Sequence, residues 1–459
     1  MIPIAQGRQG DIYAVRNRER DDPSDRGTSS SEVSSNNAVS KDQRKNKYGH
    51  DDGLGGWKAL KIVYAPRDGH VRGNEPHNIL KEVELLRKID HPNIITLLDY
   101  TCDEETLQHR LTLPLYPMSL SDLFQDPSFP PTDVDIPKII SYQLLIAISY
   151  LHSMNPPIAH RDVNPSNVMF DQEGRLKLID FGIAYWSKFN GSRYSSLAGG
   201  VKMDGGDGME ANGEGGVKND EWEDEEGTWK EDDQNMCCEV GTGSYRAPEL
   251  LFSPRSYDPL KIDLWSVGCI VAQFFRPYGS ALDSPSSDTF SSLSNPDSSD
   301  SSDEDQMDPL DNEPSSLIQT RQPLFDSTYG SLGLASSIFK VLGKPSPENW
   351  PGFTTLPDSD KIDFPDSTPR PIHDHLPLLL NLSEEDQIDV FKVIEGLLKL
   401  DPERRIGADQ VLKMGWFRDV KEVEFDDKMK NGMKIWIDKA LMKYDNMEKS
   451  YEYNSQRVW

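Results

Sequence analysis

The tightest constraint on this chain is a short hairpin flanked by polar residues. Val168–Phe170 and Leu176–Ile179 read as strands, joined by the turn Asp171-Gln172-Glu173-Gly174. Before the first strand stands His160-Arg161-Asp162-Val163-Asn164-Pro165-Ser166-Asn167. After the second stands Asp180-Phe181-Gly182. A hairpin brings its two ends together, so Asn167 and Asp180 are expected at one place. Both offer hard oxygen donors, the kind Mg²⁺ prefers. Asp162 is suited to accept a hydroxyl proton and aim the oxygen at a phosphorus. A metal-bound triphosphate and an oriented hydroxyl are the main needs of phosphoryl transfer.

The flanking segments suggest two unlike halves. Ala59–Val63 is a short β-rich run, and Leu111, Leu113 and Leu115 alternate as in a strand. Between them, Ile79, Val83, Leu86 and Ile89 keep helical spacing. From Ile136 onward the pattern is strongly helical, with Ile140, Leu144, Ile148 and Leu151 on one face. The expected fold class is therefore α+β, with a small β-rich lobe ahead of a larger helical one.

Charge shows which parts stand outside these lobes. The net charge is -28. Residues 204–233 hold 13 acidic and two basic residues, and 283–313 hold 10 acidic and none basic, together -21. Neither stretch has a strand or helix period, nor enough apolar residues to offset ordering entropy. With a third polar stretch, they are read as disordered insertions at about 17–56, 186–236 and 278–318. Such acidity disfavours nucleic acid as a partner. No apolar run is long enough to span a bilayer, and no secretory signal is read. The four cysteines provide no disulfide framework. The expected location is cytoplasm and/or nucleus.

The ordered set of motifs resembles the eukaryotic protein kinases, and the resemblance covers residues 1 to about 420 apart from the insertions. It implies a bilobal fold, with an N-lobe over 1–118, a C-lobe over 119–420 and a tail over 421–459. It also implies ATP and Mg²⁺ as cofactors. Ala5-Gln6-Gly7-Arg8-Gln9-Gly10-Asp11-Ile12 is similar to the phosphate-binding glycine loop, with Ala5 at the first glycine position. By resemblance, Ile12, Ala59 and the backbone of Met118 face the nucleotide, within a hinge at 113–118. Lys61 would hold the α- and β-phosphates, oriented by Glu82. Asp162 would orient the acceptor, Asn167 and Asp180 would bind Mg²⁺, and Thr242 would brace Asp162. Leu86, Leu97, His160 and Phe181 match the hydrophobic stack that links the lobes. Arg405 is expected to pair with Glu249.

Tyr245-Arg246-Ala247-Pro248-Glu249 and the segment Ser337–Gly352 resemble the cyclin-dependent and mitogen-activated kinases of the CMGC group. Arg246 would shape the pocket for the residue after the acceptor. Four positions depart from the pattern. Cys237 stands where a phosphorylated threonine is usual. Lys81 and Tyr185 replace two of the three arginines that clamp its phosphate, leaving Arg161. Arg8-Gln9 replaces the inhibitory Thr-Tyr pair, and Asn164 replaces the catalytic-loop lysine. These departures imply a Ser/Thr kinase independent of activation-loop phosphorylation, similar to the fungal kinases that activate cyclin-dependent kinases. Its substrate would be a protein, with a cyclin-dependent kinase as candidate. Pro76–Glu82 keeps only the ends of the cyclin-contacting motif, which leaves a cyclin-like partner open. A pseudokinase scaffold is the alternative, because Asn164 removes a cation near the γ-phosphate. Adjacent Cys237-Cys238 and His373-Asp374-His375 read as ordinary residues rather than metal sites.

Overall fold

The N-terminal lobe is built on one antiparallel sheet. β1 (Ile2–Gly7), β2 (Gly10–Arg16), β3 (Trp57–Tyr64), β4 (Asp99–Asp103) and β5 (Gln108–Pro114) lie in the order β1-β2-β3-β5-β4. This computed structural model describes residues 1–7, 10–16, 54, 56–64, 77–103, 106, 108–129, 135–186, 231–279, 319–365, 370–420 and 422–456. The three polar stretches fall largely outside the described residues, as do Arg8, Gln9 and Pro76. In the register of β3, Ala59 pairs with Ala14 and Leu113, and Lys61 pairs with Ile12 and Leu111. Strand side chains alternate, so these residues share the face on which Lys61 works. Helix α1 (Ile79–Lys88) contributes Ile79, Val83 and Leu86 to the main hydrophobic core. Its first turn is capped by Asn78, whose Oδ1 accepts from Leu80 and Lys81 at 3.1 and 3.0 Å.

Beyond the linker the chain is mostly helical. β6 (Met118–Ser119) leads into α2 (Leu120–Gln125), which a Ser119–Asp122 capping box starts. α3 (Asp135–Ser153) and α4 (Pro259–Gln273) form the lobe's centre. Ile140, Leu144, Ile148 and Leu151 are fully buried, as their spacing predicts. β7 (Ile158–Ala159) pairs with β10 (Tyr185–Trp186). β8 (Val168–Phe170) and β9 (Leu176–Leu178) form the expected hairpin, with β6 added at its edge. β11 (Tyr278–Gly279) and β12 (Thr320–Arg321) pair across the third polar stretch. Buried Arg321 fixes this stem by donating to the carbonyls of Phe129 at 2.6 Å and Arg276 at 2.7 Å. α5 (Gly330–Leu342), α6 (Glu384–Leu397) and α7 (Ala408–Val411) complete the lobe.

The tail forms one long helix, α8 (Glu422–Gln456). Met429, Met433 and Ile437 are buried at an i, i+4 spacing, and Trp436 meets Phe129 edge-on at 5.4 Å. In the sequence Ile435, Leu441 and Met442 show a mixed helical spacing, which fits docking on the large lobe and solvent exposure equally. Ile435 and Met442 point outward, 65% and 64% exposed, because they lie off that stripe. Leu441 and Tyr444 pack near Leu54 and Leu115, beside the linker. Leu54 belongs to the stretch read as an insertion, yet it is buried and donates its N–H to the Leu115 carbonyl at 2.8 Å. The insertion read as 186–236 likewise ends in packed chain, with Met236 buried.

Candidate active site

β3, α1 and the end of the hairpin place three charged groups together. Lys61 Nζ donates to both Glu82 oxygens at 2.9 Å and to Asp180 Oδ1 at 3.1 Å. Burial disfavours the ammonium, but Glu82 and Asp180 outweigh it and raise the Lys61 pKa. Asp180 is also buried, yet Lys61 pulls its pKa below the usual carboxylate range. The pair is fixed from both sides. Asn78 N–H donates to the Gly182 carbonyl at 3.2 Å, tying the start of α1 to the turn after Asp180. Phe181 is fully buried against the His160 ring, 4.8 Å between centroids. Leu86 and Leu97 join the same core.

The loop before the hairpin is pinned at its backbone. Asp263, fully buried on α4, accepts from the N–H of His160 at 2.8 Å and of Arg161 at 2.7 Å. His152 Nε2 meets the same carboxylate at 2.9 Å. Arg161 is thereby held at φ 64°, a left-handed conformation that costs a non-glycine residue energy. Asp162 follows, and both its oxygens are engaged. Thr242 Oγ1 donates to Oδ1 at 2.6 Å, and Asn167 Nδ2 donates to Oδ2 at 3.0 Å. Burial raises the Asp162 pKa, while Thr242, His160 and Asn164 oppose the rise. Asn167 turns its NH₂ toward Asp162, so its Oδ1 is the atom left as an oxygen donor. Ile179 N–H donates to the Asn167 carbonyl at 3.0 Å, which sets Asp180 beside Asn167.

Asn164 has a local role. Its Oδ1 caps the following 3-10 turn by accepting from Ser166 at 2.9 Å, and its Nδ2 donates to the Asp162 carbonyl at 3.1 Å. The side chain thus stiffens the loop, as an N-cap does. In the glycine loop, Ala5 pairs with Ile12 and Gly7 with Gly10. Gly10 has φ 122°, and a Cβ there would meet the Ile62 carbonyl oxygen at 2.4 Å, so only glycine lets β2 cross β3 this closely. Met118 pairs with Phe170 at the start of the large lobe, after the bend at Pro117. Arg405 forks onto Glu249 at 2.7 and 2.6 Å, both buried. Among the described residues no group of three metal-type side chains occurs.

Glu231 was not singled out from the sequence. It lies in the long acidic stretch, yet its carboxylate forks onto Arg161. Nothing in composition separates it from its acidic neighbours.

A model of the protein kinase domain matches residues 52–201 and 228–417. The chain belongs to the protein kinase family. Cyclin-dependent kinase 7 of Caenorhabditis elegans is 27% identical over 339 residues, 74% of this chain and 72% of that protein. Cell division control protein 2 homolog 2 of Trypanosoma brucei brucei is 25% identical over 385 residues, 83% and 81% of the two chains. This kinase is therefore cyclin-dependent-kinase-like, of the CMGC group. A chain in the crystal structure of the yeast RNA Pol II CTD kinase CTDK-1 complex shares the fold, with TM-score 0.51 and 20% identity over 80% of this chain and 86% of that one.

Proposed function

We propose that this kinase transfers the γ-phosphoryl group of ATP to serine or threonine in a protein, without a phosphate on its own activation segment. The observation that carries the reading is the closed Lys61–Glu82–Asp180 cluster facing an Asp162 that Thr242 and Asn167 hold in place. The donor set fits Mg²⁺-ATP. Asp180 and Asn167 Oδ1 would hold the metal, and Lys61 the α- and β-phosphates. Mg²⁺ supplies charge neutralisation on the phosphates. Asp162 accepts the proton of the acceptor hydroxyl and aims its oxygen. Asn164 steadies this loop, which supports turnover despite the missing lysine. Ala59 and Ile12 line the sheet face above Lys61, where the adenine would sit. The adenine-facing backbone is assigned to the linker residues 114–117.

Arg246 supports a preference at the position after the acceptor. Its guanidinium takes the carbonyls of Val240 and Cys238, each at 3.1 Å, and Gly241 next to them has φ 81°. The Val240 carbonyl is thus spent, so a substrate residue facing it finds no partner for its N–H. Proline, which has none, suits that place. Glu82 reaches Lys61 in the chain alone, which supports activity without a cyclin-like partner. An upstream role, on the activation segment of another cyclin-dependent kinase, follows from the same independence.

The test is phosphate transfer by the purified chain with Mg²⁺-ATP, using an unphosphorylated cyclin-dependent kinase and Ser/Thr-Pro peptides, with Asp162→Asn as control. Transfer abolished by that substitution supports the reading. ATP binding without transfer to any acceptor points instead to a scaffold, or, if an added cyclin restores transfer, to a partner-dependent kinase.

A further inference from the structure

We propose that Glu231 is the positioning residue of the activation segment, a built-in carboxylate doing the work of an added phosphate. This deepens the proposed kinase reading and rests on it. Arg161 is the one clamp arginine that the chain keeps, and it is buried. Its Nε donates to the Ile183 carbonyl at 2.8 Å, just after Asp180-Phe181-Gly182. Its two remaining nitrogens fork onto Glu231, Nη2 to Oε2 at 2.8 Å and Nη1 to Oε1. A buried guanidinium and a carboxylate in this fork form a strong, directional contact. Glu231 also accepts from the Cys237 N–H at 2.9 Å, so it grips the chain where the phosphorylated threonine is usual. Tyr257 closes the site, donating to the Cys237 carbonyl at 2.5 Å and accepting from Arg161 at 3.3 Å.

The two substituted clamp positions join the same arrangement. Tyr185 donates its hydroxyl to Asp233, two residues beyond Glu231. Lys81 is buried on α1 beside Glu82, within the fields of Arg161 and Glu231. Burial foremost, with Arg161 repulsion, lowers its pKa to about 8, and the Glu231 carboxylate works against that fall. One carboxylate thus touches the catalytic loop through Arg161 and the segment's return through Cys237. Cys237 is followed by the residues that Arg246 orders and by Thr242. The loss of the phosphate acceptor and of two arginines is matched by an acid that needs no second enzyme.

The test uses the full chain made in bacteria, phosphatase-treated and confirmed by intact mass to carry no phosphate. Glu231→Gln is compared with Glu231→Asp and with Glu226→Gln, which removes the same charge from the same acidic stretch of sequence. We expect Glu231→Gln to lower kcat for a peptide acceptor on the order of tenfold or more, with KM for ATP unchanged. Glu231→Asp should recover part of the loss, and Glu226→Gln should match the parent. Parent kcat in Glu231→Gln overturns the proposal, as does equal loss in all three variants. Hydrogen exchange over 237–246 is the second measurement and needs no turnover. Faster exchange in Glu231→Gln is expected, and unchanged exchange overturns the proposal. A parent chain without activity in any assay would sink the kinase reading, while the exchange result would still judge Glu231.

Discussion

Replacing Thr242 by valine keeps the side chain's shape and removes one hydroxyl. That hydroxyl lies 2.6 Å from Asp162 Oδ1 and, in the proposed reaction, would hold the carboxylate toward the acceptor. A hydrogen bond to a charged group contributes about 1.5–3 kcal/mol. Each 1.36 kcal/mol is a factor of about ten in rate. Asn167 Nδ2 still holds the other oxygen at 3.0 Å, so the lower end applies and kcat should fall about tenfold. A second signature follows from charge. Burial raises the Asp162 pKa and Thr242 is the foremost opposing group. Without it the pKa rises further, the carboxylate protonates at higher pH, and the acid limb of kcat moves upward. Thr242→Ser keeps the donor and should behave like the parent. The assay is steady-state kcat against pH for the parent and both variants with one peptide. A valine variant with parent kcat and an unmoved acid limb would refute the bracing role.

Other outcomes test separate parts of the molecule. Arg405→Met leaves Glu249 buried without its partner and should cost about 3–5 kcal/mol, read by denaturant unfolding; adding Glu249→Met should restore most of it. Met433→Ala hollows the fully buried contact of α8 and should cost about 2–5 kcal/mol, with a matching fall in Tm, whereas Met442→Ala, 64% exposed, should change little. Stability should also fall on acidification through His91. Burial, aided by Lys177, lowers its pKa from 6.5 to about 4, and its neutral Nδ1 accepts from Asn93 at 3.1 Å. Below pH 6.5 the unfolded chain gains a proton that the folded one refuses, so stability present above that pH is lost as pH falls towards 4. The full shift would correspond to about 3 kcal/mol, but His91 is partly exposed and screened, so the loss should be on the order of 1–2 kcal/mol, and His91→Gln should flatten that slope.

The grouping of the candidate site residues was legible because its parts are local. Asp162, Asn167 and Asp180 are tied to one hairpin, and hairpin geometry follows from a few residues. Lys61 and Glu82 were legible from their offsets within a strand and a helix. Other features depend on contacts between distant segments. Glu231 meets Arg161 across a long acidic stretch, and no local pattern marks which acid makes the contact. The face that α8 buries depends on where Phe129 and Ile136 lie, since its own spacing allows more than one stripe. Asn164 was read for the charge it lacks. Its capping bonds show what an amide does at that position. Pro114, which ends β5, and Pro117 after it blur the alignment of the linker backbone around Met118.

The paired stem at Gly279 and Thr320 separates length from architecture. The chain leaves the large lobe and returns through one fixed doorway, bolted by Arg321 to Phe129 and Arg276. For a loop closed at such a stem, doubling its length adds only about 0.6 kcal/mol of closure entropy. A flexible connection between Gly279 and Thr320 could therefore be lengthened, shortened or exchanged at a closure cost of that order. The same doorway offers an experimenter a place to graft a reporter.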